Sequence, residues 1–219
     1  MQTMNHIKDI EQRETIEWSN TWWEKANDVK QKRIALLGDS VTRGFRSKLN
    51  NRLEGRYVVD ICASSSQITD LLLWKQYKFF FECSELKYSQ VFLHTGGHHG
   101  HDIQRCLDEE YSVFFKMSYK KVLDLVCENC SDIAVLSYTP SVKKENLSEW
   151  DTLRNRELEA RNKIVYAIAK EYGIPYIDIW NPFLTGNFVY RDFIHFGDDG
   201  NEFIAEQCLS YINMKEKKE

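Results

Sequence analysis

The sequence predicts an α/β fold: a five-stranded parallel sheet covered by helices on both faces. Three observations carry the prediction. Short apolar runs of strand length recur along the chain. Longer stretches with apolar residues at helical spacing separate them. Small and polar residues follow each run, as at strand ends that lead into crossovers. Strands joined through helices pair in parallel by right-handed crossovers, and helices then lie on both faces.

The elements follow in order. Residues 9–29 read as a helix, with Ile16, Trp22, Trp23 and Ala26 as its apolar groups. This helical extension, residues 1–30, packs across the domain or against a partner, and packing is the commoner fate. The main domain covers residues 31–214. Its first strand is the run 34–37, ending at Gly38, and a helix is expected over 42–53. The second strand is 57–61, followed by a helix over 68–81. The third strand, 90–94, stops at Gly96-Gly97. A long helix then carries Phe115, Tyr119, Val122, Leu123 and Val126 on one face. The fourth strand is 132–136. A second long helix, 149–172, ends at Gly173, a favourable residue for a helix C-terminus. The fifth strand is 174–178, and a helix over 198–212 closes the domain, with Asp198 or Asp199 near its N-cap. Residues 215–219 read as a charged, frayed tail.

Composition narrows the function. A chain of 219 residues is one domain large enough to bury a core. A net charge of −4 gives no basic surface for nucleic acid, so a neutral or weakly charged small-molecule substrate is expected. No apolar run approaches a membrane span of about 20 residues. Residues 1–20 are polar and lack the apolar core of a signal peptide, so the expected location is cytoplasmic. Six cysteines scattered through apolar segments read as reduced core residues. Cys127-x-x-Cys130 has no second pair to complete a zinc site.

In open α/β sheets, sites form beyond the carboxyl ends of the strands. Gly38-Asp39-Ser40 follows the first strand, Ser64-Ser65-Ser66 the second, Gly96-Gly97-His98-His99 the third and Tyr138-Thr139-Pro140 the fourth. Arg191-Asp192-Phe193-Ile194-His195 lies just before the last helix. Ser40 at a strand-to-helix junction has its hydroxyl and N–H near a helix N-terminus, where an oxyanion is favoured. A serine nucleophile needs a base, and the base needs an orienting group. Asp192 and His195 share one turn and supply both. Alone, Asp-Ser before a helix is ordinary capping, and a surface Asp with a core His is commonplace. Their joint placement at one sheet edge makes Ser40, Asp192 and His195 the candidate catalytic set.

With these residues in place, the chain resembles the SGNH, or GDSL, hydrolases from about Arg33 to Ile212. The resemblance implies a flavodoxin-like three-layer α/β/α sandwich. It implies that Ser40 attacks an ester carbonyl while His195 serves as base and then acid, oriented by Asp192. Two family blocks depart from the usual pattern. Ser65, with Ser66 next, stands where a glycine N–H usually completes the oxyanion hole. His98 stands where an asparagine amide usually does. The expected oxyanion donors are therefore Ser40, Ser65 and His98. G-D-S-x-x-R with a histidine in the third block is similar to the PC-esterase group, which includes glycan O-acetyltransferases. That likeness implies an O-acetylated sugar as substrate, with Asp39, Arg43, Gly97 and His99 near it, Arg43 being equally readable as structural. The leading function is removal of acetyl or a short acyl group from a carbohydrate. The alternative is O-acyl transfer to a sugar hydroxyl, which would require a soluble acyl donor.

Other readings compete with this one. His94, His98, His99, His101 and Asp102 could ligate a metal, but His98 fills a family position, and no metal or other cofactor is expected. A non-catalytic binding module would not need Ser40, Asp192 and His195 together. Trp22, Trp23, Trp74, Trp150 and Trp180 could stack on sugars, although core or interface packing is the commoner role.

Overall fold

The computed structural model describes residues 13–83, 85–95, 97–98, 108–141 and 147–217. Six strands form one sheet: β1 Ser19–Trp22, β2 Arg33–Gly38, β3 Val58–Ser64, β4 Gln90–His94, β5 Ile133–Leu136 and β6 Tyr176–Ile177. The helices are α1 Ser40–Arg52, α2 Leu71–Cys83, α3 Glu109–Asn129, α4 Glu149–Tyr172, α5 Trp180–Thr185 and α6 Asp198–Glu216. The strand order is β1-β3-β2-β4-β5-β6, with every pairing parallel except β1 on β3. Without β1, the five predicted strands stand in the flavodoxin order 2-1-3-4-5.

Alternation along the strands sends side chains to two cores. Ala35 and Leu37 of β2, Val91 and Leu93 of β4 and Val135 of β5 pack with α2, α3 and α4 through Tyr77, Phe80, Phe115, Leu123 and Ile168. Ile34, Leu36, Phe92 and Leu136 face the other way, onto Phe45 of α1, Phe183 of α5 and Ile204 and Cys208 of α6. A strand buried on both faces reads as a continuous apolar run, and so the central strands were plain in the sequence. From β2 the chain adds β3 on one side and then crosses back to add β4 on the other, so the strand order reverses there. The crevice beyond the carboxyl ends of β2 and β4 is therefore the switch point at which such sheets bind ligands.

Two predicted segments are corrected. Residues 19–22, expected within a helix over 9–29, form the edge strand β1, with Ser19 opposite Ser64 and Trp22 opposite Ile61. Ser-Asn-Thr is weak helix sequence, and the open edge of β3 offers backbone partners that a helix would leave unpaired. Trp23 is spent on stacking over Phe80, with ring centroids 5.8 Å apart. The extension is therefore part of the sheet over its described residues. The charged tail is corrected too. Lys215 and Glu216 lie in the last turn of α6, where they pair with Asp132 and Arg56.

The stretch after β1 is held by a buried ion pair. Arg33 Nε donates to Asp60 Oδ2 at 2.9 Å, with both side chains almost wholly buried. Asp60 Oδ1 accepts the Glu24 N–H at 2.7 Å, and the Arg33 guanidinium also donates to the Glu24 carbonyl. Burial pushes the Asp60 carboxyl up, against the pull of the Glu24 N–H and Arg33. Removing one partner strands a buried charge, which costs about 3–5 kcal/mol. Asp60→Ala is expected to lose that much stability in a urea titration. A loss under about 1 kcal/mol would show that the pair does not hold this segment.

Candidate active site

Gly38 ends β2 where no side chain fits. A Cβ there would meet Thr42 Oγ1 at 1.9 Å and the His94 carbonyl at 2.6 Å. The chain turns at once into α1. Asp39 is the N-cap, its Oδ1 accepting the Val41 N–H at 2.9 Å. Ser40 is thus the first residue of the helix, where N–H groups lack intrahelical partners and the dipole is positive.

The other half comes from the segment before α6. Tyr190 bridges Phe196, and Arg191 N–H donates to the His195 carbonyl at 2.8 Å, closing a small hairpin. At its tip Asp192 Oδ1 accepts the N–H groups of Ile194 and His195, each at 2.8 Å. Its Oδ2 lies 2.7 Å from His195 Nδ1, and His195 Nε2 lies 2.7 Å from Ser40 Oγ. A carboxylate on Nδ1 keeps a proton there, leaving the Nε2 lone pair for the serine hydroxyl. Partial burial pushes the Asp192 carboxyl up. The two backbone N–H groups and the imidazole outweigh that and bring it down to about 2. The relay is thus arranged so that Nε2 can take the Ser40 proton as Oγ attacks a carbonyl.

The loop after β4 supplies Gly97 and His98. A Cβ at Gly97 would stand 3.0 Å from Asp39 Oδ2, so glycine lets this loop approach the Asp39 carboxylate. Burial would raise the Asp39 carboxyl, but His94, His98 and the Val41 N–H bring it down to about 2. His98 Nδ1 lies 2.7 Å from Glu14 Oε1, and the His98 carbonyl accepts from Arg161 Nη1 at 2.8 Å. Thr42 Oγ1 lies 3.2 Å from His94 Nδ1 beneath.

These groups line one cleft of about 670 Å³, which opens over Ser40 and His195. Asp39, Arg43, Gly97 and His98 border it. Arg43 is exposed, with its guanidinium 5.0 Å from the Trp18 ring centroid. His99, His101 and Asp102 lie outside the described residues. Ser65 is a correction. Its N–H donates to the Trp18 carbonyl at 3.1 Å, and its hydroxyl bonds Glu17 Oε2 at 2.7 Å. It is wholly buried, tying the N-terminal segment to β3, and so cannot donate to an oxyanion. Ser66 N–H is likewise taken, by Ser64 Oγ at 3.0 Å.

Sequence reasoning missed several walls of the cleft: Glu14, Ile16 and Trp18 before β1, Arg154 and Leu158 on α4, and Phe193 within the Asp192–His195 turn. Trp150, one of the tryptophans the sequence offers as a sugar platform, also lines the cleft, edge-on to Phe193 with centroids 5.3 Å apart. Arg154 is buried beside it, 5.6 Å from its ring centroid, and burial together with Arg161 brings its guanidinium down to about 10. The helical reading of residues 9–29 hid Glu14 and Trp18. β1 is only four residues long and shows no alternation of buried and exposed side chains to give it away. Among the described residues no group of three or more His, Cys, Asp or Glu could hold a metal ion. Cys127 and Cys130 are unpaired thiols, both pushed up by burial, so neither is an activated thiolate.

A serine on a helix N-terminus, relayed through imidazole to carboxylate beyond the strand ends of a flavodoxin-like sheet, defines the site of a serine hydrolase. The chain belongs to the GDSL-like Lipase/Acylhydrolase family, whose model matches residues 36–203, and it is a serine ester hydrolase of that family. No curated protein is a detectable sequence relative. Solved structures share the fold. An acetyl xylan esterase, AlAXEase, is 18% identical with a TM-score of 0.61, over 82% of this chain and 99% of that one. Axe2, an acetylxylan esterase from Geobacillus stearothermophilus, is 14% identical with a TM-score of 0.60, over 82% and 93%. A putative acylhydrolase from Bacteroides fragilis NCTC 9343 is 12% identical with a TM-score of 0.63, over 97% and 96%.

Proposed function

We propose that this protein removes acetyl, or another short acyl group, from a carbohydrate through an acyl-Ser40 intermediate. The observation that carries the reading is the relay Asp192–His195–Ser40, with both links at 2.7 Å, on the floor of an aromatic-walled cleft. His195 takes the Oγ proton as Ser40 adds to the carbonyl. It then returns the proton to the departing sugar oxygen. Water, deprotonated by the same imidazole, resolves the acyl-enzyme. Ser40 N–H, at the start of α1, supports the oxyanion together with the positive end of the helix.

Trp18, Trp150 and Phe193 support the substrate class. They line the cleft beside its polar centre, the mixture of aromatic and polar groups that suits a sugar ring with its C–H faces and hydroxyl rim. That two structural neighbours are named acetylxylan esterases agrees with this class. An incoming sugar hydroxyl could replace water at the second step, giving O-acyl transfer by the same residues. The open cleft over Ser40 leaves room for such an acceptor.

Incubating the protein with an acetylated xylo-oligosaccharide, with unacetylated sugar in excess, separates these outcomes. Free acetate is expected to be the main product, measured by proton NMR. Acetyl found mainly on the added sugar would make transfer the activity. Hydrolysis of p-nitrophenyl acetate without action on any sugar ester would remove the carbohydrate from the proposal.

A further inference from the structure

The cleft holds a second carboxylate–imidazole pair. Glu14 Oε1 lies 2.7 Å from His98 Nδ1, as Asp192 Oδ2 lies 2.7 Å from His195 Nδ1. The His98 backbone is pinned through its carbonyl by Arg161, which is itself buried against Glu157. The ring is mostly covered yet lines the cleft. No hydrogen bond reaches its Nε2 from the described residues. Glu14 lies upstream of the family-matched region, so this contact belongs to the N-terminal segment of this chain.

The pairing changes what His98 can do. With Nδ1–H given to the Glu14 carboxylate, the imidazole in its neutral form carries its lone pair on Nε2. It then accepts a hydrogen bond, whereas an oxyanion needs a donor. The acyl half of an acetyl ester has no hydroxyl to give. The alcohol half of a sugar ester has several.

We propose that His98 Nε2 accepts a hydrogen bond from a free hydroxyl on the alcohol half of the substrate, and that Glu14 is the positioning residue that fixes the ring for it. The preferred substrate is then a partly acylated polyol or sugar with a hydroxyl left free near the ester. The inference rests on the carbohydrate reading above and deepens it.

The test compares two esters on the full chain: a mono-O-acetyl methyl pentoside with its other hydroxyls free, and the same compound with those hydroxyls methylated. The ratio of kcat/KM for the free over the methylated ester reads the contact. His98→Leu is expected to lower that ratio about tenfold, the worth of one hydrogen bond to a site that otherwise leaves a polar group unpaired. Glu14→Leu is expected to lower it as far. Glu14→Gln, which keeps an acceptor for Nδ1–H, restores most of it, and the double variant falls no further than either Leu variant. Thermal melts by circular dichroism report whether each variant folds. Equal losses on both esters in His98→Leu would mean that His98 serves the oxyanion common to them, and the proposal falls while the esterase reading stands. An unchanged ratio also overturns it. Failure of the wild type to cleave either sugar ester, while it cleaves p-nitrophenyl acetate, overturns the substrate class beneath it.

Discussion

Ser40→Ala is expected to lower kcat for ester hydrolysis by about four to six orders of magnitude, the range seen when a serine nucleophile is removed from such a relay. The substitution is clean because of where the serine sits. The Ser40 side chain is not the cap of α1; Asp39 holds that place through its bond to Val41 N–H. Alanine suits a helix, and the Ser40 hydroxyl is bonded to His195 Nε2 on a partly buried surface. Stability should therefore shift by no more than about 1 kcal/mol. What remains after the change is binding together with the pull of the α1 terminus on the carbonyl, and that residue is small. Hydrolysis of p-nitrophenyl acetate gives the rate, and a fluorophosphonate that labels the wild type but not the variant gives the site. Turnover within tenfold of the wild type would remove Ser40 from the mechanism.

Much of this site was legible in the sequence, for a physical reason. Central parallel strands are buried on both faces, so β2, β4 and β5 announce themselves as apolar runs, and β3 as one interrupted by the buried Asp60. Once they are ordered, topology alone sends Gly38-Asp39-Ser40 and Gly97-His98 to one edge. The Asp192–His195 spacing fits one tight turn, and the structure makes that turn from two backbone N–H bonds to the Asp192 carboxylate. Edge elements carry no such signal. β1 is half-exposed, four residues long and rich in Ser, Asn and Thr, so its last residue Trp22 and the adjoining Trp23 read as a helix face. Ser65 stands at the position where the family resemblance implies an oxyanion donor. In the structure Trp18 and Glu17 occupy both its N–H and its hydroxyl. The same segment brings Glu14 to His98, a pairing between residues 84 positions apart that no local pattern encodes.

Asp192→Asn tests the relay at its other end, and its expected effect is a fall in kcat of about four orders of magnitude. The amide can keep the turn, because its oxygen still accepts from Ile194 and His195 N–H, so the hairpin between Tyr190 and Phe196 should survive. Its NH₂, however, now faces His195 Nδ1. The imidazole must then accept at Nδ1 and carry its proton on Nε2, the nitrogen 2.7 Å from Ser40 Oγ. A ring so protonated cannot take the serine proton, and substrate binding is left nearly intact, so KM should change little while kcat falls. The pH dependence follows from the sign of the Asp192 shift. Its folded carboxyl is depressed to about 2, below the ordinary value near 4. Its contribution is therefore complete above about pH 4 and is lost only as the pH falls through about 2. Acidification that stops above about pH 4 therefore leaves the Asp192 carboxylate charged and its hold on His195 Nδ1 intact. The kcat–pH profile of wild type and variant checks both statements. A variant with more than a tenth of wild-type kcat at neutral pH would show that the Asp192 carboxylate does not set the His195 tautomer.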